Sequence, residues 1–226
     1  MSIKRYPQLA HWGAYTAVVE DGRLIRCDPF ADDPDPSPLL DSIVPMVYSD
    51  KRIRKPAVRR SWLQKREGSD RTLRGREDFV EVDWELALDV VAQENRRVRD
   101  RYGASGLFTG SYGWSSAGRL HHARSLVRRF YFSGGGGGDQ QGNYSWGAAQ
   151  FFLPYVIGTF SPLTGRVTSW PSVVEHCELF VAFGGLALKN AQVSSGGAAE
   201  HALKPWLQKL AHKGTPVVNI SPMRDD

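Results

Sequence analysis

The sequence predicts an α/β fold. A small β-hairpin-containing N-terminal region, residues 1–80, precedes a partial parallel sheet flanked by helices, residues 81–226. Three observations carry that expectation. Asp21-Gly22 separates two β-rich runs, a strong signal for a two-residue hairpin turn. From about residue 80 strand-like and helix-like segments alternate, as they do in a parallel sheet. Leu179-Phe180-Val181-Ala182-Phe183 is a continuous apolar run closed by Gly184-Gly185, the pattern of a strand buried on both faces.

The elements follow in order. His11 to Val19 and Arg23-Leu24-Ile25 are the hairpin strands. Asp32 to Pro45 carries Pro34, Pro36, Pro38 and Pro45, and is expected to form neither regular helix nor central strand. Arg52, Arg54, Lys55, Arg59 and Arg60 form a basic cluster, read either as a solvated surface or as a contact for phosphate or for another part of a larger protein. Asp83 caps a helix whose apolar face is Trp84, Ala87, Leu88, Val91 and Val98, and Gly103 ends it. Leu107-Phe108-Thr109 is a short strand, and Gly110 to Trp114 a loop. Leu120, Ala123, Val127 and Phe130 give the next helix a buried stripe. Gly134 to Gly138 is loop. The apolar run ending in Phe183 leads to a helix around Glu200 to His212, with Pro205 near its start and Gly214 at its end. Val217 to Ile220 is the strand that completes a right-handed βαβ unit.

Composition narrows the function classes. The chain has 226 residues, 29 basic against 24 acidic side chains and a formal charge of +5. Much of the basic charge is arginine, which favours anionic partners through planar bidentate contacts. No zinc finger, RNA-binding sheet signature or uninterrupted basic helix is present, so nucleic acid is not an expected partner. Cys27 and Cys177 are the only cysteines. Two thiols cannot make a four-thiolate iron–sulfur or zinc site, and they suggest no disulfide framework. No run reaches membrane-spanning length and Met1 to Arg5 lacks a signal-type apolar core, so a cytoplasmic setting without membrane insertion is expected, with a periplasmic one as the alternative if an upstream signal was removed.

Chemistry is expected at the carboxyl ends of the strands, where parallel sheets bind ligands. Gly110-Ser111-Tyr112-Gly113-Trp114 would place glycines and helix-start amides near an anion, although it is neither a dinucleotide fingerprint nor a P-loop. Leu188 to Gln192 reads unaided as a polar surface turn; the alternative is that Lys189 meets a phosphate and Asn190 and Gln192 bond a heterocycle. Ser145 lies in a Gly-Asn-Tyr turn before the small residues Gly147, Ala148 and Ala149. From its neighbours alone it reads first as a helix N-cap, with a nucleophile or a metal ligand as the alternatives. Gly-x-Ser-x-Gly is absent, and no spacing nominates His121, His122, His176 or His201 as a base. A hydrolase is therefore disfavoured.

Taken together and in order, several segments resemble the N-terminal part of the dimethyl sulfoxide reductase family of molybdenum enzymes, in the branch of the biotin sulfoxide, trimethylamine N-oxide and dimethyl sulfoxide reductases. They are His11-Trp12-Gly13, Asp35 to Pro38, Arg52-Ile53 with Pro56 to Arg59, and Phe79 to Trp84. Gly110 to Trp114, Gly118 to His121, Asn143 to Ser145 and Gly147 to Gln150 continue the series. Thr168 to Pro171, Lys189 to Gln192 and Ile220 to Arg224 complete it.

The resemblance implies a bis(molybdopterin guanine dinucleotide) cofactor with one molybdenum, no iron–sulfur cluster, and two-electron reduction of a small S-oxide or N-oxide substrate by an external electron donor. It matches Ser145 with the serine whose oxygen ligates the metal. Tyr112 and Trp114 match an aromatic pair beside the metal, where O–H and N–H can donate to substrate oxygen. Lys189, Asn190 and Gln192 match a segment at the pterin cofactor; Ser221 and Arg224 match one at a guanosine portion. Two departures stand out. Trp146 follows the ligand serine where family members often carry threonine, and His11-Trp12-Gly13 stands where other branches hold a cluster-binding cysteine motif. The family polypeptide is much longer, so this chain alone is expected to be inactive and to bind the full cofactor poorly; the alternative is a non-catalytic fragment or half of a split enzyme that needs the missing C-terminal domains as a complementary chain.

Overall fold

The structure is a computed structural model and describes residues 2–110, 114, 122–142, 145–165 and 167–224. Its N-terminal sheet has three antiparallel strands, β1 (Ile3–Ala10), β2 (Gly13–Glu20) and β3 (Arg23–Pro29), with β2 in the middle. Asp21 and Gly22 join β2 to β3 with φ of 46° and 84°, the left-handed pair a two-residue hairpin requires. A bulge interrupts the ladder where Val18 faces Arg26 and Val19 faces Leu24. Strand β1 adds to the expected hairpin. It carries Pro7, tolerated because an edge strand can leave one amide position unpaired.

Helix α1 (Leu40–Tyr48) corrects the expectation that residues 32–45 hold no regular helix. Pro45 lies inside it. The proline removes one amide, but Asp41 and Pro45 are both exposed, so water can satisfy the freed carbonyl. Next come β4 (Ala57–Arg59), α2 (Arg60–Lys65) and β5 (Phe79–Glu81), with β4 and β5 antiparallel. The carboxylate of Glu77 accepts from the Ser61 amide and hydroxyl, each at 2.7 Å, and pairs with Arg59. Arg59 of the basic cluster is thus an internal brace.

Helix α3 (Trp84–Tyr102) has the expected ends. The Asp83 carboxylate accepts from the Leu86 amide at 2.7 Å, and Gly103 closes the helix with φ 73°. Its packing differs from expectation. Val90 is buried, whereas Trp84, Leu88 and Val91 of the predicted stripe are exposed and line a groove with Val58 and Trp62. Helix α4 (Ala123–Ser133) likewise exposes Ala123 and Phe130, while Leu120 lies outside the described residues. The strand expected at Leu107 to Thr109 is a single parallel bridge between Phe108 and Gly138. Helices α5 (Gly147–Ile157), α6 (Ser161–Thr164) and α7 (Trp170–His176) follow. The βαβ unit is formed by β6 (Phe180–Phe183), α8 (Leu203–Lys213) and β7 (Val217–Ile220), with β6 and β7 parallel in register Phe180 to Val217. Gly214 ends α8 in the left-handed conformation, φ 81°.

The fold is therefore mixed α/β, with an antiparallel N-terminal sheet and a parallel pair. The chain divides into two compact units. One comprises residues 1–45, 112–123 and 141–226, the other residues 46–111 and 124–140. The first is centred on Val18, Leu40, Ala182 and Leu210, the second on Val82, Val90, Leu107 and Thr109. Among the described residues no helix is long and apolar enough to cross a membrane.

Candidate functional site

The parallel pair ends in bare backbone. Gly184 and Gly185 leave β6 with φ of 90° and 89°, and the Gly184 amide donates to the Ile220 carbonyl at 2.8 Å. A Cβ on Gly185 would stand 3.1 Å from the Ser221 hydroxyl oxygen, so the two strand ends meet closely. Ser221 accepts from the Met223 amide at 3.2 Å, and Arg224 lies exposed just beyond. From Gly185 the chain runs into a 3-10 turn, Leu188–Ala191, that exposes Lys189 and Asn190. The predicted residues Lys189, Asn190 and Gln192 thus share one turn after β6, and Ser221 stands at the end of the neighbouring strand.

Gln192 is held from below. Its side-chain amide donates to Asp35 Oδ2 at 3.2 Å, and Lys204 donates to Asp35 Oδ1 at 3.0 Å. The Gln192 Oε1 atom is buried with no partner among the described residues. Beneath the turn lies a buried pair that sequence reasoning missed. His201 and Asp33 are only 4% and 8% exposed. Asp33 accepts from the His201 backbone amide at 2.8 Å, and its other oxygen is 2.7 Å from His201 Nδ1. His201 Nε2 lies 3.2 Å from the Gln192 carbonyl oxygen, so both ring nitrogens face acceptors. Burial alone would raise the Asp33 carboxyl. The His201 amide and imidazole and the Asp35 amide outweigh it and hold the group below the ordinary carboxylate range.

The same segment docks on the corner between β1 and β2. The Ser194 amide donates to the His11 carbonyl at 2.7 Å. Gly13 (φ 121°) admits the His201 ring, whose Cε1 would be 2.9 Å from a Cβ there. Trp114 meets His11 edge-on, with ring centroids 5.7 Å apart, and is 45% exposed. One predicted aromatic is therefore tied through His11 to the turn that bears Lys189 and Gln192.

Ser145 is exposed in the turn before α5. The N-cap position there is taken by Trp146. Tyr112 lies outside the described residues, as do Asn143 and Tyr144. Among the described residues no group of three or more His, Cys, Asp and Glu side chains is arranged to hold a metal ion, and the ligand reading of Ser145 does not depend on one. His201 and Asp33 carry no local signal that could have found them. They are 168 positions apart, and Asp33 sits in a run of Asp and Pro that reads only as loop.

Comparison with known proteins gives this arrangement its context. Residues 8–48 match the molybdopterin oxidoreductase N-terminal domain, and residues 52–225 match the molybdopterin oxidoreductase domain. The chain is 43% identical over 215 residues to a dimethyl sulfoxide/trimethylamine N-oxide reductase of Rhodobacter capsulatus, covering 95% of this chain and 26% of the relative. It is 39% identical over 199 residues to a biotin sulfoxide reductase of Cereibacter sphaeroides, covering 88% of this chain and 27% of the relative. A trimethylamine-N-oxide reductase of Haemophilus influenzae is 34% identical over 224 residues, covering 99% of this chain and 27% of the relative. The chain therefore spans about a quarter of the length of the curated relatives it matches. Since the main domain match runs from residue 52 to residue 225, well over half of the sequence, the chain belongs to the molybdopterin oxidoreductase family.

Proposed function

We propose that this chain forms one wall of a molybdenum cofactor pocket, of the bis(molybdopterin guanine dinucleotide) type, in an enzyme that reduces small S-oxides or N-oxides with electrons from an external donor. The observation that carries the reading is the convergence of Gly184-Gly185, the Lys189–Gln192 turn and Ser221 at the carboxyl end of the parallel pair. The residues present fit such a group. Bare backbone at Gly184-Gly185 admits a phosphate-bearing chain, and the orphaned Gln192 Oε1 is an acceptor for a heterocycle N–H.

When bound, the cofactor supplies a two-electron centre for oxygen-atom transfer. The protein's own groups bind and orient. The Lys189 ammonium pairs with phosphate, Asn190 and Gln192 bond the heterocycle, and Ser221 and Arg224 hold a guanosine portion. Ser145 offers a hard oxygen donor suited to high-valent molybdenum. Tyr112 and Trp114 donate O–H and N–H bonds to the substrate oxygen as charge develops there, each worth roughly 1.5–3 kcal/mol. Neither Cys27 nor Cys177 has the companions a four-thiolate cluster needs, so electrons reach the centre without a cluster held by this chain. The rest of the pocket comes from polypeptide matching the other three quarters of the relatives.

The test replaces Ser145 in an enzyme completed to the relatives' full length. Ser145→Ala is expected to change the molybdenum spectrum and to lower turnover by at least about 10- to 100-fold, the scale found even for groups that only support a ligand. An unchanged spectrum with unchanged turnover would return Ser145 to an ordinary turn residue.

A further inference from the structure

We propose that His201 is a positioning residue: with Asp33 it forms a buried latch that fixes the Lys189–Gln192 turn on the corner between β1 and β2. The assignment of that turn to a cofactor rests on the function proposed above, but the latch rests on contacts within this chain. Asp33 binds His201 twice, at the backbone amide (2.8 Å) and at Nδ1 (2.7 Å), which fixes the plane of the imidazole. The opposite nitrogen is thereby aimed at the Gln192 carbonyl, 3.2 Å away.

Around that axis the fit leaves little slack. A Cβ at Gly13 would come within 2.9 Å of the ring, and one at Gly197 within 2.6 Å of the Ala10 carbonyl oxygen. Gly13 and Gly197 are therefore the points where the 192–201 segment lies against the sheet corner. The Gln192 side chain is fixed separately, by Asp35, which Lys204 holds in turn. The main chain of the turn is set by His201 and its side chain by Asp35. A buried imidazole and carboxylate that served only to fill space would be a poor choice, because each polar group costs free energy unless it is bonded. Here both carboxylate oxygens of Asp33 and both ring nitrogens of His201 face a hydrogen-bonding neighbour.

His201→Asn separates the two contacts of the ring. The asparagine amide can still donate to Asp33 from the position of Nδ1, but it cannot reach the Gln192 carbonyl. Asp33→Asn is the second variant, equal in shape to the native side chain and carrying one acceptor fewer. Hydrogen–deuterium exchange on the 226-residue chain reads the result. The expected outcome for His201→Asn is about five- to tenfold faster exchange at the Ser194 amide and its neighbours, the equivalent of one net hydrogen bond, with a smaller change in the same direction for Asp33→Asn. The amides of α3 and of the β2–β3 hairpin should exchange as before. Unchanged exchange at Ser194 in both variants would overturn the latch. So would acceleration spread evenly through α3 and the hairpin, which would make the pair a general support of folding.

A second readout separates the latch from the cofactor reading. Molybdopterin guanine dinucleotide released from an enzyme of the family is added to the native chain and to His201→Asn, each completed to the relatives' full length. Protection of residues 188–192 in the native chain, weaker in the variant, is expected. Local loosening in the variant without protection of the native turn would leave the latch in place and remove the cofactor from that turn.

Discussion

A Cβ at Gly137 would stand 2.3 Å from Thr109 Cγ2 and 2.7 Å from the Leu107 carbonyl oxygen. Thr109 is fully buried, and its amide and hydroxyl donate to the Gly138 carbonyl at 2.7 and 2.9 Å. The Gly138 amide returns a bond to Leu107 at 2.8 Å. Part of the five-glycine run is therefore packed against the core of its unit, although its composition reads as free loop. Gly137→Ala is expected to lower the stability of the chain by about 1–3 kcal/mol, the usual cost of overpacking, seen as a lower urea midpoint. Gly68→Ala is the control, since a Cβ there has only Lys65 Cβ at 4.0 Å, and its midpoint should stay within about 0.5 kcal/mol of native. Equal midpoints for the two variants would show that the 107–109 segment can retreat from the glycines. Composition could not separate Gly137 from its neighbours, because the demand for a missing side chain comes from Thr109, which is distant in sequence. The His201–Asp33 pair was hidden for the same reason: each residue is ordinary until the chain brings them together.

At the scale of elements, what was legible is what is encoded locally. The Asp21-Gly22 turn, the Asp83 cap and Gly103 stop of α3, and the Gly214 stop of α8 all form as their residues dictate. The β6–α8–β7 unit is parallel, as its apolar runs implied. The misses are elements whose stability is not local. Strand β1 is specified by pairing with β2 rather than by its own mixture of Lys, Arg and Pro. Helix α1 tolerates Pro45 because the affected turn faces water. At the site, the 188–192 turn follows β6 and Ser221 follows β7, positions legible from the apolar runs, whereas their supports, Asp33, Asp35 and His201, were not legible. The Asp83 cap gives a direct test of local encoding. Asp83→Ala removes the acceptor for the Leu86 amide and should cost about 1 kcal/mol (range about 0.5–2). Asp83→Ser should recover most of it. Urea unfolding followed by helical circular dichroism reads both, and no loss in the alanine variant would mean that packing of Val90, not the cap, sets where α3 begins.

At the scale of the molecule, both units expose apolar surface of a kind that elements of this type ordinarily cover. On α3, Trp84, Leu88 and Val91 are 69%, 61% and 50% exposed along a groove of about 520 Å³. On the parallel pair, Phe183 is 80% and Val217 54% exposed, although parallel strands normally carry packing on both faces. Contiguous apolar patches of this kind mark surfaces that bind other polypeptide, and the relatives contain about three times as much sequence again as this chain matches. The 226-residue chain by itself is therefore expected to self-associate, and the α3 groove is the surface expected to drive it. Leu88→Glu tests this without disturbing the fold, because Leu88 points outward and glutamate is a good helix former. In sedimentation velocity the variant should need at least about tenfold higher concentration to associate, and it should bind less of a hydrophobic dye. Unchanged association would shift the contact to the β6–β7 face. The groove predicts a large effect because association there would have to bury an unpaired carboxylate, and that costs more than the roughly 1.4 kcal/mol a factor of ten requires.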